Sequence, residues 1–443
     1  MLTLLLAAAT ILALWPDRPL PLFQGMLRWD DFSSYLKILF ITGGLFTLVM
    51  SHKDSLPEHH AEYFIMIISV VLGASLTVMS MNFLMVILGI ELTSIASYVL
   101  TGFRFDRTSS EASLKYLLFG IVITATTLFG MSILFGLTGS LDFSSTRFIE
   151  GLLGQSSPLL ILGGMMVLGG LLFKMTSAPF HLWAPDVYEA APTPVVALFS
   201  VVPKIAGLGV LTRFSLALHV FGQSSIDWQT LLGSMAILTI GIGSMAALWQ
   251  NHVRRLMAYS TIAQAGFLLI GAVTFSIEGV RYMLFYASFF LVTNFLVFFL
   301  LNEFEKKHNM VTLPDFTKAS VSLVFPGILL TLGFASLTGL PPLAGFSAKL
   351  FIFSNLYDAY QSSSKPVFLW LMITGLLATV ISLFFYMKIP YSLFLRSGER
   401  NVLPSGFHRG RNLFSLFLVV LLVILFLYPS LLMGWLNKIN FVF

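Results

Sequence analysis

No cysteine occurs among the 443 residues. The chain therefore cannot hold an iron–sulfur cluster by thiolate or close a disulfide. Charge is scarce too, at 10% of residues. Long polar stretches are missing, which leaves no soluble domain. The formal charge of +5 comes from basic residues scattered over many short loops, so no patch for nucleic acid forms. Gly-rich phosphate loops, nucleophile motifs and metal-ligand spacings of histidine are missing as well. What abounds is apolar: 57% of residues are hydrophobic and the mean hydropathy is +0.89. That composition belongs to a polytopic membrane protein.

Apolar segments able to span fall near 2–15, 32–50, 62–80, 82–101, 112–138, 158–178, 190–219, 229–249, 256–274, 281–301, 320–338, 342–358, 367–390 and 412–436. The pair 320–338 and 342–358 is joined by Gly339-Leu-Pro-Pro342 and reads as one broken helix. The expected fold is all-α and integral to the membrane, with about 13 transmembrane helices in one polytopic domain, 1–443. Leu2 to Trp15 lacks a basic leader and a small-residue cleavage site, so it reads as a membrane helix and not a signal peptide. Basic residues in loops after even-numbered helices, such as Lys53, Arg104, Arg107, Arg254, Arg255 and Arg400, outnumber those of the other side, where Lys37 and Arg213 are counted. The positive-inside rule then places the N-terminus in the cytoplasm and the C-terminus in the periplasm.

Two helices are interrupted by Gly and Pro. One holds Lys174 and then Ser177-Ala-Pro179; the other holds Leu340-Pro-Pro-Leu-Ala-Gly345 and then Lys349. Broken backbone at membrane depth survives only where protein buries it or water reaches it. Paired breaks in two halves point to inverted repeats, here 62–219 and 229–395, with a transport path at their interface.

The intramembrane charges are the candidate functional residues. A lysine at mid-membrane costs roughly 2.5–3.5 kcal/mol on insertion scales, so a working role is its default reading. Glu91 follows a run of apolar and small residues; it reads as a carboxylate biasing a nearby lysine, or as a neutral carboxyl bonded to a hydroxyl. Lys174 and Lys349 flank the breaks, with snorkelling as the plain alternative. Lys204 lies deep in its span, where an ion pair holding helices is the alternative. Lys115 follows Glu111 by four residues and Thr108-Ser-Ser-Glu111 fits a capping box, so a helix start at the membrane edge explains both. His181 either lines the path or satisfies carbonyls freed by the break. Burial lowers a lysine's pKa and a nearby carboxylate raises it. Moving Glu91 relative to Lys174 would thus load or unload a proton, and the disturbance can pass to Lys204 and Lys349.

At these residues the sequence resembles the antiporter-like membrane subunits of respiratory complex I, and among them the N-type subunit. The resemblance rests on Gly89-Ile-Glu-Leu92, Glu111-Ala-Ser-Leu-Lys-Tyr116, Phe173-Lys174, Pro179-Phe-His-Leu-Trp-Ala-Pro-Asp-Val-Tyr188, Ala191-Pro-Thr-Pro-Val195, Lys204-Ile-Ala206, the run from Arg254 to Ala263, and Leu337-Thr-Gly-Leu-Pro-Pro342 with Lys349. It covers about residues 60–395. Pro-Asp-Val-Tyr and a lysine at 349 favour the N-type over the M-type subunit; the short C-terminal part argues against the L-type. The resemblance implies a proton path through Glu91, Lys115, Lys174, Lys204 and Lys349, with His181 and Glu111 as companions. It implies a non-redox subunit of a proton-translocating NADH:quinone oxidoreductase in the bacterial cytoplasmic membrane. FMN, iron–sulfur clusters and quinone would lie in partner subunits, none in this chain, and M-type and K-type subunits would be its neighbours in the bilayer. Subunits of multi-chain cation/proton antiporters and of membrane-bound hydrogenases resemble the same family and form the alternative; a structural anchor is the third. The family has one more helix before 32–50 than this chain. Many relatives carry histidine where this chain has Gln264, and glutamine cannot titrate. Pro203 before Lys204 is also unusual.

Overall fold

Residues 1–16, 18–51, 59–153, 158–222, 227–318, 323–396 and 409–439 are described by a computed structural model. Lys53 and Arg400 lie outside these residues. Chain order starts with α1 (Leu2–Ala13), a two-stranded antiparallel hairpin β1 (Leu20–Leu22) and β2 (Leu27–Trp29), and α2 (Asp31–Ser51). Then come α3 (His60–Met79), α4 (Phe83–Thr101), α5 (Arg107–Thr138), a short α6 (Thr146–Leu152), α7 (Pro158–Lys174), a short α8 (Ala184–Ala190) and α9 (Thr193–Gly222). The second half holds α10 (Trp228–Leu248), α11 (Val253–Val273), α12 (Ile277–His308), a 3-10 turn (Leu313–Lys318), α13 (Val324–Thr338), α14 (Ala344–Ser363), α15 (Pro366–Phe394), α16 (Arg409–Leu427) and α17 (Pro429–Leu436).

Ten of these helices are long and apolar enough to cross a membrane, and α1, α7 and α13 are shorter apolar helices. The all-α membrane fold read from hydropathy is thus the fold observed. The expected span 412–436 is two helices, because Pro429 lacks the N–H that would continue α16. The expected capping box at Thr108 and Glu111 sits elsewhere. Asp106 caps α5, its side chain accepting from the Ser109 N–H at 2.7 Å while Ser109 Oγ accepts from the Asp106 N–H. That bond also holds the Asp106 carboxyl below its ordinary pKa. Lys115 therefore lies eight residues into α5, about 12 Å at 1.5 Å per residue. Lys37 and Arg213 are not loop residues: both are buried, in α2 and α9.

Two end caps hold the bundle. At one, the hairpin meets the α3–α4 and α5–α6 connections: the Met81 N–H donates to Met26 O at 2.9 Å and the Phe143 N–H to Met81 O at 3.2 Å. At the other, the α10–α11 turn pairs with the segment after α12, the Val253 N–H donating to Val311 O and the Leu313 N–H to Asn251 O, both at 3.0 Å. α9 runs between the caps. Its Thr193 hydroxyl donates to Glu305 at 3.0 Å, while Arg213 donates to Asp30 beside the hairpin at 2.7 Å. The membrane-spanning windows of α9 and α12 are wholly enclosed and that of α11 almost so, whereas α5 and α16 are largely peripheral. A buried polar group therefore has to be satisfied from α9, α11 and α12 and their neighbours.

Candidate functional site

Both expected breaks are present. The first runs from Met175 to Trp183, between α7 and α8; the second from Gly339 to Leu343, between α13 and α14. Each contains a cis X–Pro bond, Ala178–Pro179 and Pro341–Pro342. Gly339 ends α13 at φ +93°, and a Cβ there would stand 2.9 Å from Lys349 Cδ. The left-handed turn is what favours glycine here, since a flexible lysine side chain could shift away from a Cβ.

Lys174 is the last residue of α7 and is buried. Its Nζ donates to Ser94 Oγ on α4. Glu91 stands one turn before Ser94 and accepts from Thr124 Oγ1 at 2.7 Å. Glu91 and Lys174 thus face one site without pairing directly. The backbones of α7 and α9 close in at Gly207, where a Cβ would lie 3.2 Å from Lys174 Cβ. Gly207 is within one helical turn of Lys204.

Lys204 is 1% exposed. Its Nζ donates to Thr261 O on α11 at 3.0 Å and stands 5.8 Å from the centre of the Tyr188 ring. α9 continues through Pro203, which leaves the Phe199 carbonyl without its helical donor. One turn beyond Thr261, Gln264 Nε2 donates to Leu337 O at 3.2 Å and Tyr386 Oη at 3.3 Å, and its Oε1 accepts from Tyr286 Oη. Ser260 Oγ bonds Tyr386 Oη. Lys349 completes the row. Its Nζ donates to Thr338 O at 2.8 Å and Thr379 Oγ1 at 3.3 Å, under the Phe267 ring at 4.7 Å. The three lysines are thus held by hydroxyls, carbonyls and ring faces, and none forms an ion pair among the described residues.

The remaining expected residues sit apart. Lys115 is 46% exposed on its side chain and pairs with Glu111 at 2.9 Å and with Asp186 of α8 at 3.1 Å. Asp186 also takes Arg255 at 3.0 Å, and Arg255 takes Glu189 at 2.9 Å. Arg254 binds Glu305 and donates to the Glu189 and Ala191 carbonyls. His181 is buried in the first break, and its Nδ1 has no hydrogen-bond partner. Sequence reasoning missed Asp186, Tyr286 and Tyr386. Asp186 was within the motif quoted above; the tyrosines carry no sequence signal, since a tyrosine in a membrane span is ordinary and only folding brings its hydroxyl to Gln264. Among the described residues no group of three His, Cys, Asp or Glu is placed to hold a metal.

Enclosed lysines on a scaffold with two broken helices define a polytopic membrane protein of the antiporter-like class. The chain belongs to the family described as NADH:quinone oxidoreductase/Mrp antiporter, TM, whose pattern matches residues 80–390. It is 37% identical over 420 residues to NADH-quinone oxidoreductase subunit N 2 of Chloroherpeton thalassium, covering 92% of this chain and 81% of that one. It is 35% identical over 435 residues to NADH-quinone oxidoreductase subunit N of Pelagibacter ubique, covering 96% and 88%. Among solved structures, a chain of respiratory complex I from Thermus thermophilus with bound aureothin superposes with a TM-score of 0.79 at 27% identity, over 98% of this chain and 92% of that one. The membrane-bound sulfane sulfur reductase, an archaeal respiratory complex, shares the fold with a TM-score of 0.82 at 23% identity, over 99% and 88%.

Proposed function

We propose that this chain is the N-type, non-redox proton-conducting subunit of a bacterial NADH:quinone oxidoreductase. The observation that carries the reading is the set of enclosed lysines: Lys204 and Lys349 lie on a stretch bonded through Thr261, Gln264 and the carbonyls of the second break, and Lys174 packs against α9 at Gly207, one turn from Lys204. A lysine bonded only to neutral groups can give up its proton without leaving a bare carboxylate behind. Glu91 is the group whose movement loads Lys174, and the two breaks lie in repeats 62–219 and 229–395. Electron transfer takes place in partner subunits that hold FMN, iron–sulfur clusters and quinone.

Lys115, with Glu111, serves as the uptake point beside α8, and His181 lines the first break. The N-terminus is cytoplasmic and the C-terminus periplasmic, which sets the Asp186 network on the inner side. Glu91 also bears on partners. It lies on α4 between Leu88, 53% exposed, and Ile95, 58% exposed. A partly exposed carboxylate in such an apolar face is expensive against lipid, so a neighbouring membrane subunit, of the K-type or M-type, covers it.

The test is mutagenesis in the assembled complex, reconstituted in vesicles. Lys174→Ala, Lys204→Ala and Glu91→Ala are expected to lower the protons moved per NADH oxidised while the complex still assembles. Normal pumping in all three would sink the reading. A reporter fused to the C-terminus and found in the cytoplasm would overturn the orientation.

A further inference from the structure

Helices α9 and α12 run antiparallel, and three side-chain bonds fix their register. Thr193 meets Glu305 at 3.0 Å, Ser200 meets Asn294 at 2.5 Å and Thr212 meets Met283 at 3.7 Å. Lys204 is therefore level with Phe290, one turn or about 6 Å along the axis from Asn294. A helical side chain leans toward the N-terminus of its own helix, which carries Lys204 toward Ser200 and so toward Asn294. Phe298, one turn beyond Asn294, lies 6.4 Å from the Tyr188 ring that Lys204 Nζ also approaches. Ser200 Oγ donates to Ala197 O at 2.6 Å, so it accepts from Asn294, through Nδ2. Asn294 Oδ1 is then turned away. Asn294 is fully buried, and this oxygen has no partner among the described residues. The Phe199 carbonyl, without its helical donor because of Pro203, is a second acceptor in the same turn of α9. A buried acceptor costs free energy until a donor reaches it. Lys204 has donors to spare, since Thr261 O takes only one of its three ammonium protons.

We propose that Asn294 is a second seat for the Lys204 ammonium, which rocks between Thr261 O on α11 and Asn294 Oδ1 on α12. This rests on the proton-conducting reading above and adds a positioning residue to it. No covalent bond changes in the move; only the helix that the ammonium faces changes. On α11 it stands one turn from Gln264, which reaches the second break at Leu337 O. On α12 it is withdrawn from both. A neutral amide oxygen takes an ammonium without the grip of a carboxylate, so neither seat pins the lysine. Titratable side chains on the elements packed round α9 include Tyr35 on α2, Glu91 on α4, Lys174 on α7, Tyr188 on α8 and Tyr286 on α12. None of them bonds Asn294 among the described residues.

Asn294→Leu keeps the bulk and removes the seat; Asn294→Asp keeps the shape and turns the seat into a carboxylate. Both are measured in the whole complex in vesicles, as protons moved per NADH oxidised relative to the parent at the same pH. Complex recovery reports assembly separately. Asn294→Leu is expected to lower pumping toward the level of Lys204→Ala at every pH. Asn294→Asp is expected to lower it at neutral pH and to recover as the pH rises, because a carboxylate holds the proton on Lys204 until the medium is alkaline enough to remove it. A purely structural asparagine would give losses that do not vary with pH in this way. If Asn294→Leu does not assemble, the pH dependence of Asn294→Asp carries the test. Normal pumping in assembled Asn294→Leu, or in Asn294→Asp either no loss or a loss constant across pH, overturns the second seat; with Lys204→Ala impaired beside it, the wider reading stands. Normal pumping in Lys204→Ala overturns both.

Discussion

Two sets of lysine on one chain are held in opposite ways. Lys115 is partly exposed on this chain between two carboxylates, Glu111 and Asp186. Lys204 and Lys349 are enclosed and rest on backbone carbonyls, hydroxyls and ring faces. Carboxylates flank the first; among the described residues the second set has no carboxylate in contact. An enclosed cation without a carboxylate is poor as a structural tie, because the cost of removing it from water goes unreturned. The same arrangement suits a proton carrier. On the proposed reading, the enclosed lysines without an ion pair carry the proton through the interior, while the ion-paired Lys115 stands at its edge.

The sharpest way to break that contrast is to remove a lysine from each set. Lys204→Ala is expected to cut proton movement by about tenfold or more, the scale at which a lost proton-transfer group is felt, with assembly intact. Vesicle acidification set against NADH oxidation measures it. Equal effects from Lys204→Ala and Lys115→Ala would erase the distinction.

The buried ion pair is the next test. Arg213 and Asp30 pair at 2.7 Å with each side chain 2% exposed, and Arg213 Nε also donates to Val78 O at 2.6 Å. Arg213→Ala leaves Asp30 charged and enclosed, a loss of about 3–5 kcal/mol for a pair of this kind. The expected result is a lower melting temperature and less recovered complex, with normal pumping in what assembles. A pumping defect with unchanged stability would move Arg213 into the working set.

Which residues belong to which set was only half legible in the sequence. Lysines in apolar runs stand out because insertion penalises them, and Gly-Pro clusters mark the breaks; both follow from local composition. Lys204's partner could not be read, since every residue has a carbonyl and only folding chooses Thr261. Tyr286 and Tyr386 looked like ordinary span residues for the same reason. Arg213 and Lys37 were counted as loop charges although both lie inside the apolar windows 190–219 and 32–50, because each sits within about two turns of its window's end and was assigned to the adjoining loop. Lys115 was read by its sequence neighbour Glu111, and the structure adds Asp186, which lies 71 residues away.

Lys115→Ala tests the outer set itself. Its pairs are exposed, and such pairs add little to stability. The expected outcome is a small change in melting temperature. Any loss of pumping from it should be smaller than that from Lys204→Ala and should appear at the uptake side, as a slower rate at alkaline pH where protons are scarce.

The smallest effect lies at a pair far from both lysine sets. Lys365 Nζ stands 2.8 Å from Asp227, the cap of α10, and 2.7 Å from Gln229 Oε1. Burial pushes the Asp227 carboxyl up, but its bonds to Lys365 and Thr230 outweigh that and leave its pKa below the ordinary value. A depressed carboxylate stabilises the fold above its unfolded pKa, and that stability fades as pH falls through the folded one. Lys365→Gln removes one of the groups that depress it. The variant should therefore melt slightly lower than the parent at neutral pH, and the gap should close in acid once Asp227 is protonated in both. Thermal melts of the purified complex at the two pH values measure the gap. A gap that widens in acid would mean that Lys365 acts on something other than Asp227, and that this end pair is not one of the ties.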